Sequence, residues 1–120
     1  MLIRKIQGDM IQFYEDESLV LTIDEQDTND GILMRFKGAL KSEFSDHIQD
    51  ELDAYTTIGM KVFIDFKEAT FISASLLNAL LNCQQLVDYF RNNEIILKNI
   101  PQSVYLEMDR TGISELLMIE

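Results

Sequence analysis

VFIDFKEATFISASLLNALL, residues 62–81, contains the change of period that decides the fold. Val62-Phe63-Ile64-Asp65-Phe66 is an apolar run of strand length, built from β-branched and aromatic residues. Ala69-Thr70-Phe71-Ile72 follows, then a turn containing serines. Beyond it Leu77, Leu80, Leu81, Gln84, Val87 and Phe90 recur at helical spacing and form an inward stripe. A strand therefore feeds directly into a long helix.

Outward from this stretch the same alternation repeats. Upstream, Ile32-Leu33-Met34-Arg35-Phe36 reads as a buried strand ending at Gly38. From Ser42 the period becomes helical: Phe44, Ile48, Leu52 and Tyr55 face inward, and Glu43, Asp46, Asp50, Glu51 and Asp53 face outward. Ser42 is the expected N-cap and Thr56-Thr57-Ile58-Gly59 the end of that helix. Downstream, Arg91-Asn92-Asn93 ends the long helix and Glu94-Ile95-Ile96-Leu97-Lys98 is the next strand. Pro101 and Ser103 open a shorter helix through about Arg110, capped by Gly112. Residues 113–119 are apolar enough to pack back on the sheet. Such alternation with short connections predicts one α/β layer with parallel strands and right-handed crossovers. The strands are apolar almost continuously, as parallel strands buried on both faces are.

Residues 1–30 form an extension integral to the domain, and residues 31–120 its core. Met10-Ile11-Gln12-Phe13-Tyr14 and Leu19-Val20-Leu21-Thr22-Ile23 read as strands of a hairpin turning at Glu15-Asp16-Glu17. Residues 24–30 read as a solvated loop. For residues 1–15 an added strand, a covered edge and a dimer contact all stay open.

The 120 residues fit one domain, and 47% hydrophobic with 26% charged residues is the balance of a folded globular chain. Ten Lys+Arg against 21 Asp+Glu leave a net charge of -11. That field repels phosphate backbones and anionic lipid surfaces, which excludes nucleic acid as a partner better than it selects another. Cys83 is the single cysteine, so no internal disulfide forms, in keeping with a reducing cytoplasm. No apolar run approaches the roughly 20 residues of a membrane span, and no signal-peptide core follows the first six residues.

Chemistry finds no constellation. One His and one Cys cannot build a metal site; His47 reads as a surface residue of an acidic helix, and Cys83 as a small buried thiol with no base beside it. The glycines are scattered, without a phosphate loop. The expectation is a chain that is not an enzyme and carries no cofactor. One junction stands apart by position: Phe71-Ile72-Ser73-Ala74-Ser75-Leu76-Leu77-Asn78 leads into the N-terminus of the long helix. Free N–H groups there favour anions or a phosphoserine, although Ser73 or Ser75 serves equally well as a plain helix cap.

From Gly31 onward the chain resembles the STAS family, the fold of anti-sigma factor antagonists. Phe36-Lys37-Gly38-Ala39-Leu40 resembles that family's strand ending in Gly-x-Leu, and residues 62–66 its aliphatic strand with an aspartate. Phe71-Ile72-Ser73-Ala74-Ser75-Leu76-Leu77 falls on the signature F-[IM]-D-[ST]-S-G-L. Asn99-Ile100-Pro101 and Thr111-Gly112-Ile113 resemble the late turn and the terminal Thr-Gly. The order and spacing of these pieces carry the resemblance. It implies a STAS-like α/β fold: a central, mostly parallel sheet with helices packed mainly on one face.

In that family the loop before the long helix binds a protein, often an anti-sigma factor that is also a serine kinase, and phosphorylation after the signature aspartate releases it. Here Ser73 replaces the aspartate and Ala74 occupies the acceptor position, so the usual switch is absent. Ser75 and Ser73 are the candidates for a displaced acceptor. Leu76 and Asn78 replace small glycines, and Lys41 stands where an acid is usual. The resemblance thus implies a cytoplasmic bacterial signalling module, acting in transcription regulation through a protein partner. Its binding face would comprise Gly38, Lys41, Ser42, Ser73, Ala74, Ser75, Leu76 and Asn78, with Leu76 as an exposed apolar anchor; a homodimer stays open. Two alternatives are an accessory subunit of a lipid or solute ABC transport complex and a nucleotide- or small-ligand-binding regulatory domain.

Overall fold

A computed structural model of the chain describes the backbone of residues 2–90 and 95–120, and the side chains of all of these but 86–90. Its strands and helices, in chain order, are β1 (Leu2–Gln7), β2 (Met10–Glu15), β3 (Ser18–Asp27), β4 (Gly31–Leu40), α1 (Ser45–Thr57), β5 (Lys61–Ile72), α2 (Ala74–Phe90), β6 (Ile95–Lys98), α3 (Gln102–Thr111) and β7 (Met118–Ile119). One sheet holds all seven strands, each beside its neighbour in sequence.

The sheet changes character at β4. Strands β1 to β4 form an antiparallel meander, whereas β4 to β7 are parallel and joined through helices. The expected α/β architecture is therefore present, with a mixed sheet whose parallel half begins at β4. Each crossover steps in the same direction, so right-handed connections place the helices on one side of the sheet.

The N-terminal strands have local causes. Asp16 and Glu17 both take positive φ (51° and 71°), the two-residue turn that matches the twist of a hairpin, and join β2 to β3. Residues 24–27 are strand rather than the loop expected: they pair with residues 32–35 of β4. Their acidic side chains hid this, because they sit at the end of the sheet and are only partly buried. Among residues 1–15, β1 adds a strand antiparallel to β2.

Two backbone features shape the sheet around β4. Gly38 has φ 115°, and a Cβ there would meet the Val20 carbonyl oxygen at 2.2 Å. Only glycine fits where β3 approaches so closely. On the next strand, Phe66 and Lys67 of β5 stand opposite Phe36 alone, a bulge that increases local twist.

The core lies between sheet and helices. Phe13 packs on Phe44 with ring centres 4.9 Å apart, and Phe36 meets Phe66 edge-on at 5.5 Å. Ile48, Leu52, Leu76 and Leu80 close over them from α1 and α2. A short 3₁₀ turn, Ser42–Phe44, precedes α1. The Ser42 hydroxyl donates to the Glu43 carboxylate at 2.8 Å instead of capping the helix, which corrects its expected N-cap role. Gly112, in the left-handed region at φ 80°, ends α3 as its sequence position implied. Expectations for Val87, Phe90 and residues 91–94 lie outside the described residues.

Candidate functional site

The junction of β5 and α2 is built around Ser73. Its N–H donates to the Leu40 carbonyl at 3.0 Å, tying it to the end of β4. Its hydroxyl oxygen accepts the Leu76 N–H at 3.1 Å, so Ser73 is the N-cap of α2. The side chain is 8% exposed. This burial and bonding give Ser73 a structural role at the junction.

Ala74, Ser75 and Asn78 are exposed on the first turns of α2. Leu76 is not: it is fully buried, in contact with the core. The expected exposed anchor is thereby corrected. Leu76, Leu77, Ala79, Leu80, Cys83 and Gln84 are the buried positions among the described side chains of the helix, so the inward stripe begins one residue earlier than the leucine spacing suggested. Helical geometry allows either leucine of such a pair to lead the stripe, and the Ser73 cap fixes the phase.

Beside this junction runs a shallow groove of about 380 Å³, lined by Thr70, Phe71, Ile72, Ala74, Leu77, Ser103, Val104 and Glu107. The end of β5, the first turn of α2 and the first half of α3 form its walls. Phe71 is 54% exposed there, and sequence reading treated it only as part of a signature. Glu107 is held by Arg110 one turn along α3, and the guanidinium keeps its carboxyl below the usual range.

The second expected segment is divided. Leu40 pairs with Ile72, which brings Lys41 and Ser42 next to Ser73. Lys41 Nζ lies 3.0 Å from Glu15 Oε2, and this partner raises the ammonium pKa. Gly38 is half-buried, paired with Leu21 of β3 and Ala69 of β5, and its place in β4 is set by the close approach of the Val20 carbonyl.

Among the described residues no group of three or more His, Cys, Asp or Glu side chains is placed to hold a metal ion. Cys83 is buried and its thiol donates to Asp53 Oδ1 at 3.4 Å. Burial first, and then the Asp53 carboxylate, push its pKa far above the ordinary thiol range. His47 is exposed, its ring 5.6 Å from that of Phe13. No described helix is long and apolar enough to cross a membrane.

No family model matches the chain, and no curated protein does. Solved structures do match. The Thermotoga maritima protein TM1081 aligns with a TM-score of 0.70 at 11% identity, over 81% of this chain and 84% of its own. The Bacillus cell fate determinant SpoIIAA in its phosphorylated form gives 0.64 at 15%, over 82% and 90%. An anti-sigma factor antagonist from Mycobacterium paratuberculosis gives 0.66 at 11%, over 82% and 84%. At such identities the likeness reaches the fold, and the fold of this chain is that of a STAS-like domain.

Proposed function

We propose that the chain is a regulatory module that binds another protein through the groove between β5, α2 and α3, in the manner of an anti-sigma factor antagonist but without the serine switch at its usual place. The observation that carries this reading is the apolar lining at the N-terminus of α2, where Phe71 and Ala74 are exposed beside partly buried Ile72. An aromatic side chain left half in water at a concave edge is the composition of an interface centre. The setting proposed is a bacterial cytoplasm, and the role is binding rather than catalysis.

Ala74 is exposed and is the first residue of α2. A phosphate at this position in a relative adds close to two negative charges at the interface; Ala74 has no hydroxyl to receive one. Binding through this face is then constitutive, or it is controlled at exposed Ser75. Incubation with the anti-sigma kinase of the host and ATP, followed by intact-mass measurement, separates the two. An unchanged mass is expected; a phosphate on Ser75 establishes a shifted switch.

Binding itself is tested with two substitutions and an anti-sigma factor as the immobilised partner. Phe71→Asp should keep the folded state and weaken capture by about tenfold or more, since a hot-spot aromatic is worth roughly 2 kcal/mol. Leu76→Asp places a carboxylate in the core and should unfold the chain. Undiminished capture by folded Phe71→Asp moves the interface off this groove.

A further inference from the structure

The aspartate of the strand at residues 62–66 and the turn Asn99-Ile100-Pro101 take no part in lining the groove, yet the structure bonds one to the other. Asp65 stands on the face of the sheet without helices, its open face, beside Arg35 of β4. It is half-buried, and its Oδ1 accepts two hydrogen bonds. One comes from the Lys67 N–H at 2.9 Å, the other from the Asn99 side-chain amide at 3.0 Å. The first lies at the bulge, where Phe66 and Lys67 face Phe36 alone and the regular ladder is interrupted. The second crosses to exposed Asn99, where the chain leaves β6.

Register places this link at the root of the groove. Lys98, the last residue of β6, is level with Asp65. Past that level β5 runs on to Ile72, with β4 on one side and without β6 on the other. The groove occupies the side that β6 vacates: Thr70, Phe71 and Ile72 form one wall, and Ser103, Val104 and Glu107 of α3 the facing one. Between β6 and α3 the chain has only residues 99–101 in which to turn. Asn99 makes the turn with φ 56°, in the left-handed region that asparagine tolerates. Pro101 then starts α3, its carbonyl accepting the Tyr105 N–H at 2.9 Å. The direction of α3 is thus set at Asn99 and the course of the β5 end at the bulge. One carboxylate holds both.

We propose that Asp65 and Asn99 are positioning residues of the groove: their clasp sets the separation of the β5 wall from the α3 wall, and so what the groove admits. This role rests on the groove being the docking site, whereas the clasp itself is testable without a partner. A hydrogen bond open to water adds little to stability. A change of direction at a tight turn, by contrast, displaces the helix that follows it. The clasp should therefore show in the groove more than in the unfolding midpoint.

Three variants test it. Asn99→Gly keeps the left-handed turn, which glycine adopts without strain, and removes only the clasp. Asp65→Ala removes both bonds, and Asp65→Asn keeps an oxygen for both donors. In ¹H–¹⁵N spectra Asn99→Gly should move the amides of residues 70–72 and 103–107 as well as those beside the substitution, with a urea midpoint close to the parent's. Capture by an immobilised anti-sigma factor should fall about fivefold in Asn99→Gly, what one hydrogen bond contributes. It should fall in Asp65→Ala too and hold in Asp65→Asn. The proposal is overturned if the amides of residues 70–72 and 103–107 in Asn99→Gly overlay the parent's. It is also overturned if Asp65→Asn moves them as far as Asp65→Ala does, since charge is then responsible, or if the Asn99→Gly midpoint collapses, which assigns Asn99 to the fold. Undiminished capture by Phe71→Asp removes the docking site and leaves the clasp to be decided by the spectra. Groove amides that stay in place overturn the clasp and leave the docking site standing.

Discussion

Ser73 joins three pieces of the fold: its N–H bonds the end of β4, its hydroxyl oxygen caps α2, and its carbonyl accepts the first helical bond, from Leu77 at 3.2 Å. Loss of the hydroxyl leaves the Leu76 N–H unpaired in a buried turn. Ser73→Ala should therefore cost about 1 kcal/mol in urea unfolding, and should loosen the groove by fraying the turn that carries Ala74. An unchanged midpoint would mean water reaches that N–H. The signature itself was legible as a strand-to-helix junction, because a serine ahead of a periodic apolar run has a physical meaning of its own. The fate of each side chain was not. Leu76 and Leu77 are equivalent to any count of spacing, and which one lies deepest, Leu76 at the centre of the core and Leu77 at the edge of the groove, depends on where the cap begins the helix. Phe71 was equally ambiguous: an aromatic at a strand end packs inward or stays in the groove according to a bulge, which leaves no periodic mark.

Among the elements, α1 and β3 meet in an unusual way. Glu25 of β3 is half-buried, with Oε2 unpartnered, facing Tyr55 and Glu51 of α1 and Arg4 of β1. Desolvation raises its pKa from about 4.5 to about 7; Glu51 adds to the rise, while the Tyr55 hydroxyl and Arg4 oppose it. Glu25 also raises the Tyr55 pKa, behind burial as the first cause. A folded-state pKa above the unfolded one means that the folded chain binds the proton more tightly. Its contribution is most favourable below about pH 4.5 and is lost as pH rises through about 7. Glu25→Gln should abolish that part of the loss, so that the variant gains most over the parent near pH 8 in urea unfolding. A parallel pair of curves for parent and variant would place Glu25 in water. The elements around this pair differ in how plainly they could be read. α1 and β4 to β6 announce themselves through sustained apolar period, since their inward faces are fully buried. β1 has five exposed residues of six and gives no such signal; it is a strand because β2 offers it a ladder. Residues 24–27 are strand for the same reason, with acids that local preference assigns to a loop.

At the scale of the molecule, charge is divided between the two sides of the sheet. α1 carries Asp46, Asp50, Glu51 and Asp53, whereas most cations lie on the open face. Self-repulsion among acids on the helix side weakens the compact state and is screened within about 10 Å at 0.1 M salt. Raising sodium chloride from low to moderate concentration should therefore raise the thermal midpoint, and a flat response would mean the Arg4–Glu51 and Lys41–Glu15 pairs already compensate. The strictly sequential strand order has a consequence for assembly as well. No strand has to be threaded between two that are already joined, so every sheet contact closes a loop between chain neighbours. The entropy of such short closures is small, and the β1-to-β4 meander closes through turns of only a few residues. The sheet can thus grow from that ribbon toward the crossovers, in the order in which a ribosome releases the chain. Its slow step should be the docking of α1 and α2 over β4 and β5, the first contacts that span whole elements.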